Sequence, residues 1–141
     1  MITRFVANAL RHETSVIKIG KRKLRVLLAD SALKRAIGLM HRKTLPKDGM
    51  LLSFKNDACT NIWMQNMLFP IDIVWIDSRN RVVDLVKGAE PCKSIFTCKE
   101  YAPAKPARYV LEIAAGSADG IGIRKGMCIE INRFRTERKR A

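Results

Sequence analysis

The sequence predicts a β-rich α+β fold: one compact domain on an antiparallel or mixed sheet, or a barrel-like version of it, with one short helix. Three observations carry this expectation. Short segments with period-two alternation recur from Thr14 to Asn132, whereas a helical period occurs once, near residues 31–39. The 141-residue length suits one domain, read as 1–141. No internal repeat, low-complexity linker or run of about 18 apolar residues interrupts it.

In chain order, Thr14–Ile19 and Leu24–Ala29 are β-rich runs around Gly20-Lys21-Arg22-Lys23, a hairpin with a basic tip. Asp30 or Ser31 can cap a helix whose apolar stripe is Leu33, Ala36, Ile37 and Met40. That stripe predicts packing on the sheet, with Lys34 and Arg35 on the opposite side and Gly38 at the end. Residues 43–49 form a loop punctuated by Pro46 and Gly49, followed by a mostly buried strand over Met50, Leu52 and Phe54. Ile71–Asp77 and Arg81–Val86 flank Ser78-Arg79-Asn80 as a second hairpin. A proline-bearing loop over 87–106 precedes the alternation Tyr109, Leu111, Ile113. The glycine-rich stretch 116–126 is a loop or one helical turn, and Met127, Ile129 and Ile131 mark a last strand. The alternation as a whole predicts a half-buried antiparallel sheet.

The net charge of +14 is unevenly spread. Residues 1–25 carry +6, residues 133–141 carry +4, and the much longer middle also carries +4. Basic ends on a nearly balanced body are the electrostatic footprint of a phosphate-bearing partner. Lys21, Arg22, Lys23 and Arg25 of the hairpin, and Arg133, Arg135, Arg138, Lys139 and Arg140 of the tail, are the candidate contacts with RNA or DNA. The hairpin is expected to add to the same face as the ends. An acidic protein is the other partner such charge would suit, and a solvated surface is the plainer account. With aromatic content at 6%, phosphate contact is favoured over base stacking. The N-terminus lacks the leading cationic cluster of a secretory signal, so a cytoplasmic protein without membrane association is expected.

Cys59, Cys92, Cys98 and Cys128 include no C-x-x-C pair, and His12 and His41 are the only histidines. No zinc site is expected from that set. Cys92 and Cys98 lie in one Pro-bounded loop, close enough to bridge. In the cytosol of a mesophile they would stay reduced, whereas intracellular proteins of hyperthermophiles do hold disulfides. Met40, Met50, Met64 and Met67 could bind a soft metal, but methionines at these periods read as core filler. No metal or cofactor is expected.

Asp72 stands in an apolar strand between Ile71 and Ile73, where a carboxylate must be hydrogen-bonded, paired or protonated. It either ties the turn around Asn66 and Pro70 or serves as a perturbed acid in a cleft. Glu112 raises the same question, and an Arg or Lys partner would answer it. G-x-S-x-G, P-loop, H-E-x-x-H and G-x-G-x-x-G signatures are all missing, which weakens an enzymatic reading.

The order of segments resembles the prokaryotic family known as domain of unknown function 192. The resemblance rests on Ala29-Asp30, Gly38-Leu39-Met40, Arg42, Leu45-Pro46, Gly49-Met50-Leu51 and Trp63-Met64-Gln65-Asn66. It continues through Pro70-Ile71-Asp72-Ile73, Val82-Val83, Pro91-Cys92, Cys98, Tyr101, Val110-Leu111-Glu112, Gly116 and Gly126, covering about 24–132. It implies a compact β-rich α+β domain and no particular activity. Met67 replaces a usual threonine and Leu52 a common aromatic, and many relatives look exported, which this chain does not. The basic ends lie outside the matched core.

Three functional expectations follow, the third being a protein-assembly component whose charged ends bind an acidic partner. The first is a non-enzymatic module bound to nucleic acid or a ribonucleoprotein through its basic ends. The second is an enzyme or small-ligand binder using a cleft built from Met40, Trp63, Met64, Asn66, Asp72 and Glu112. Those residues would equally make a packed corner, with Trp63 filling core and Asn66 tying a turn.

Overall fold

A computed structural model describes residues 11–133. Among them the elements are β1 (Glu13–Ile19), β2 (Arg22–Ala29), α1 (Ala32–Ile37), β3 (Met50–Ala58), β4 (Ile62–Trp63), β5 (Ile71–Ile76) and β6 (Val82–Ala89). A 3-10 turn at Ile95–Thr97, β7 (Glu100–Tyr101), β8 (Ala107–Ala114), α2 (Ser117–Ile121) and β9 (Glu130–Arg133) complete them. The fold is the β-rich α+β domain the alternation predicts. Its mixed sheet runs β6-β5-β8-β3-β2-β1-β9, parallel only between β2 and β3. The sheet is open, although the segment entering β9 reaches the start of β6: Val82 N–H donates to Met127 C=O at 2.8 Å and Ile129 N–H to Asn80 C=O at 2.8 Å. Part of the last predicted strand, Met127–Ile129, thus runs beside β6 instead of β1.

Alternation sorts the side chains into two apolar layers. Ile17, Val26, Leu28, Leu51, Val74, Ile76, Leu111 and Ile113 pack on one face beneath Ala118 of α2 and Ile123. Met50, Leu52, Ile71, Ile73, Trp75 and Val110 pack on the other beneath Leu39, Ile62, Met64 and Met67. The sheet is therefore not half-buried: all six residues of β5 are buried. The second face is roofed largely by irregular chain, at Leu39 and over residues 60–67, whose burial a strand pattern does not announce. β4 and β7 form a separate two-stranded ribbon in that roof.

The helix departs furthest from expectation. Ser31 does cap it, its Oγ accepting from Lys34 N–H at 3.2 Å, but α1 spans six residues and buries none of them. Leu33 is 49% exposed and Ile37 36%. The positive φ at Gly38 turns the chain away, and Leu39 is the residue that enters the core. Fewer than two turns of helix cannot carry a stripe onto the sheet. Gly49, entering β3 at φ 136°, is required by contact as well as conformation, since a Cβ there would strike the Glu112 carbonyl oxygen.

Candidate functional site

Between α1, the far part of β3 and the 60–67 roof lies a cleft of about 270 Å³. Ala36, Ile37, Leu39, Met40, Leu52, Phe54, Ile62, Trp63, Met64, Met67 and Ile71 form its apolar lining, joined by Arg35, Thr60, Asn61, Gln65 and Glu112. The roof over it is fastened at several points. Buried Trp75 donates its indole N–H to Thr60 C=O at 3.3 Å. His41 N–H donates to Asn66 C=O at 2.8 Å, joining the Gly38-Leu39-Met40 turn to the 64–67 turn. Ile62 and Trp63 pair with Tyr101 and Glu100.

Cys92 and Cys98 form a disulfide with Cα atoms 5.0 Å apart. It braces the same wall from behind: Cys92 N–H donates to Met64 C=O at 3.4 Å, and β7 begins two residues after Cys98. Cys59 and Cys128 are free and exposed.

Glu112 stands at the centre of the second face, with Met50 of β3 and Ile73 of β5 as its cross-strand neighbours. It is 6% exposed and lines the cleft. Among the described residues its carboxyl has neither a hydrogen-bond donor nor the Arg or Lys partner expected of it. Burial alone therefore raises its pKa, from the ordinary 4.5 to about 7. Arg35 is the other charged lining residue. Rather than lying on a solvated helix face, its guanidinium donates to Ser53 C=O at 2.9 Å and lies over the Phe54 ring at 4.9 Å. A planar cation on a long apolar stem suits such a half-covered strand surface.

Asp72 is buried on the opposite face, next to Ile113, and does not line the cleft. One oxygen accepts from Gly88 N–H and the other from Ala118 N–H, both at 2.8 Å. It fixes the bulge in β6 and caps α2, not the Asn66–Pro70 turn. Asn66, exposed at φ 59°, also lies outside the lining. Of the six cleft residues singled out in the sequence, Met40, Trp63, Met64 and Glu112 meet at one site. Arg35, Phe54 and Asn61 escaped notice because no local pattern brings residues 35, 54 and 61 together. The exposed apolar stripe of α1 was the one available signal.

Lys21, Arg22, Lys23 and Arg25 are exposed at one end of the β1–β2 hairpin. Ser15 pairs with Arg133 toward its other end, so the tip stands five residues, or about 17 Å, from where β9 finishes. Hairpin and described chain end do not share one spot. Arg135, Arg138, Lys139 and Arg140 lie outside the described residues. Among the described residues no helix is long and apolar enough to cross a membrane, and no group of three or more His, Cys, Asp or Glu could hold a metal.

Glu112 makes stability depend on pH. The folded state keeps its proton up to about pH 7, while the unfolded chain releases it near 4.5, so stability falls as pH rises between the two values. Relative to Glu112→Gln, the wild-type unfolding free energy should drop by about 3 kcal/mol from about pH 4 to about pH 8 in urea titrations. Parallel pH curves for the two proteins would show that the carboxyl is not perturbed.

The model of the family described as "Uncharacterized ACR", domain of unknown function 192, matches residues 15–131. The match starts ahead of residue 24 and takes in β1 and the basic hairpin, leaving the tail outside. A UPF0127 protein of Thermococcus kodakarensis is 34% identical over 103 residues, covering 72% of this chain and 61% of the relative. One from Thermococcus gammatolerans is 33% identical over 102 residues, 72% of this chain and 62% of the relative. The chain thus spans about three fifths of these relatives' length. A crystal structure of a Novosphingobium aromaticivorans protein of unknown function is similar at TM-score 0.72 and 26% identity, over 86% of each chain. A Sinorhizobium meliloti structure, described as a candidate transcription regulator, is similar at TM-score 0.72 and 28% identity, over 86% of this chain and 94% of that one. With its core spanned end to end by the family's model, the chain belongs to the domain of unknown function 192 family.

Proposed function

We propose that this protein is a small-molecule-binding module whose ligand sits in the cleft over Glu112. The observation that carries the reading is that carboxyl: buried, without a partner among the described residues, and facing an apolar recess. A ligand site is typically apolar with a few convergent polar groups, and Arg35, Asn61, Gln65 and Glu112 provide them here. The role is binding rather than catalysis. Glu112 is the single carboxyl in the lining, with no nucleophile–base pair around it. Trp63, 40% exposed at the cleft, offers an indole face for the ligand's apolar part. Screening a small-fragment library by amide NMR should produce shifts concentrated in residues 36–40, 52–54, 60–67 and 112. Trp63→Ala should weaken the best hit about tenfold, the loss of roughly 1.4 kcal/mol of stacking. Shifts scattered over the surface, or no hits, would reject the cleft.

Nucleic-acid binding is a second reading, favoured by the hairpin. Lys21, Arg22, Lys23 and Arg25 are exposed and none is ion-paired with a carboxylate among the described residues. The Sinorhizobium relative's description as a candidate transcription regulator is consistent with it. Four phosphate contacts from the hairpin would contribute about −3.6 to the salt slope on duplex DNA, and replacing all four cations by Gln should flatten the slope by about that amount. A full-length protein that binds neither RNA nor DNA at low salt would exclude this reading and leave an acidic protein as the partner for the basic ends.

A further inference from the structure

We propose that the cleft takes a compact organic ammonium, its cationic nitrogen set against the Glu112 carboxylate and its apolar body against Trp63, Met40 and Met64. The inference rests on the reading of the cleft as a ligand site and names the chemical class.

Charge supply in the chain is the first argument. There are 27 Lys and Arg for 13 Asp and Glu, so cations were available for every carboxylate. Asp30, Asp84, Asp119 and Glu130 each have a lysine within 4 Å. These pairs are wholly or partly exposed, where ion pairs contribute little. The deeply buried Glu112 has none among the described residues. A carboxyl left so deep must keep its proton, or, once ionised, be met by cleft water or by a cation from outside. An ammonium brings both a full charge and up to three N–H donors to the two carboxylate oxygens.

The walls suit the same ligand. Indole is the best of the aromatic faces for a cation, and thioether sulfurs are polarizable. Arg35 is the other charge in the lining. It is engaged with Ser53 C=O, three residues along β3 from the Met50 that faces Glu112, so about 10 Å separates the two backbone positions. Met50 and Ile73 beside Glu112 are apolar, and the 60–67 roof contributes only uncharged Thr60, Asn61 and Gln65. An anionic ligand would have to approach Glu112 itself. A neutral hydrogen-bond acceptor would need Glu112 protonated, and its affinity would follow pH in the opposite sense.

Proton release is therefore the signature. Binding a cation draws Glu112 into its ionised form and expels its proton to solvent. Calorimetric titration of the wild-type protein with phenethylamine, 2-phenylethanol and 3-phenylpropionate separates the alternatives. Phenethylamine stays protonated throughout, as lysine does. Its affinity should rise about tenfold per pH unit up to about pH 7 and then level off. Titrations in two buffers of different ionisation enthalpy should show release of close to one proton per ligand near pH 6. Glu112→Gln should remove the pH dependence and weaken phenethylamine at least tenfold. If Glu112→Gln does not fold, the proton count on wild type still decides. Binding of the amine with no proton release, or 2-phenylethanol binding as tightly with the amine's pH profile, overturns the proposal. If the alcohol or the acid binds in the cleft and the amine does not, the ammonium class falls while the ligand site stands. If none of the three binds, both fall.

Discussion

The sheet buries both of its faces, and this chain has too little regular structure to cover the second. On the first face α2 and the chain after it close the layer, with Ala118 and Ile123 fully packed. On the second, six residues of helix bury nothing, and the covering falls to loop segments between 39 and 67. Loops can roof an apolar layer only if their backbone polar groups find partners. Here they do so at Trp75 with Thr60, His41 with Asn66, Cys92 with Met64, and in the β4–β7 ribbon. Where that roof stops short of α1, the recess over Glu112 remains.

Asp72 and Glu112 show how different two buried carboxyls can be within one sheet. Glu112 lies directly across from Ile73, the residue after Asp72, so the two acids point to opposite faces. Asp72 accepts a backbone N–H at each oxygen, which compensates its removal from water and turns it into a brace between β6 and α2. Among the described residues Glu112 has no such donors, so burial acts on it unopposed and its proton is held to near neutrality. A buried carboxyl satisfied by its own fold is structure, whereas one satisfied by none of the described residues is poised for something else.

The sheet was legible in the sequence because period two is a local property. The β-rich run at Leu24–Ala29, the apolar run at Ile71–Asp77 and the alternation at Tyr109–Ile113 locate β2, β5 and β8 without knowledge of their partners. The helix is not legible in the same way, because an apolar stripe predicts a core face whereas this one leads into the cleft through Ala36 and Ile37. Glu112 was legible as an acid in an apolar strand, but its lack of a partner was not, since that depends on which cations the fold brings near. Arg35 was missed for the same reason: only the pairing of α1 with β3 puts it over Phe54. The parallel join of β2 to β3 is equally a tertiary outcome, begun where Asp48 N–H donates to Arg25 C=O and Leu27 N–H to Gly49 C=O.

The central claim is that Glu112 carries a carboxyl with no partner among the described residues, in an apolar recess. The most direct measurement is a ¹³C NMR titration of the glutamate side-chain carboxyls, with the Glu112 signal assigned from Glu112→Gln. A midpoint at about 7, set apart from the other glutamates, is the predicted result. A midpoint near 4.5 would mean that water or a cation already satisfies this carboxyl, and would contradict the account of the cleft.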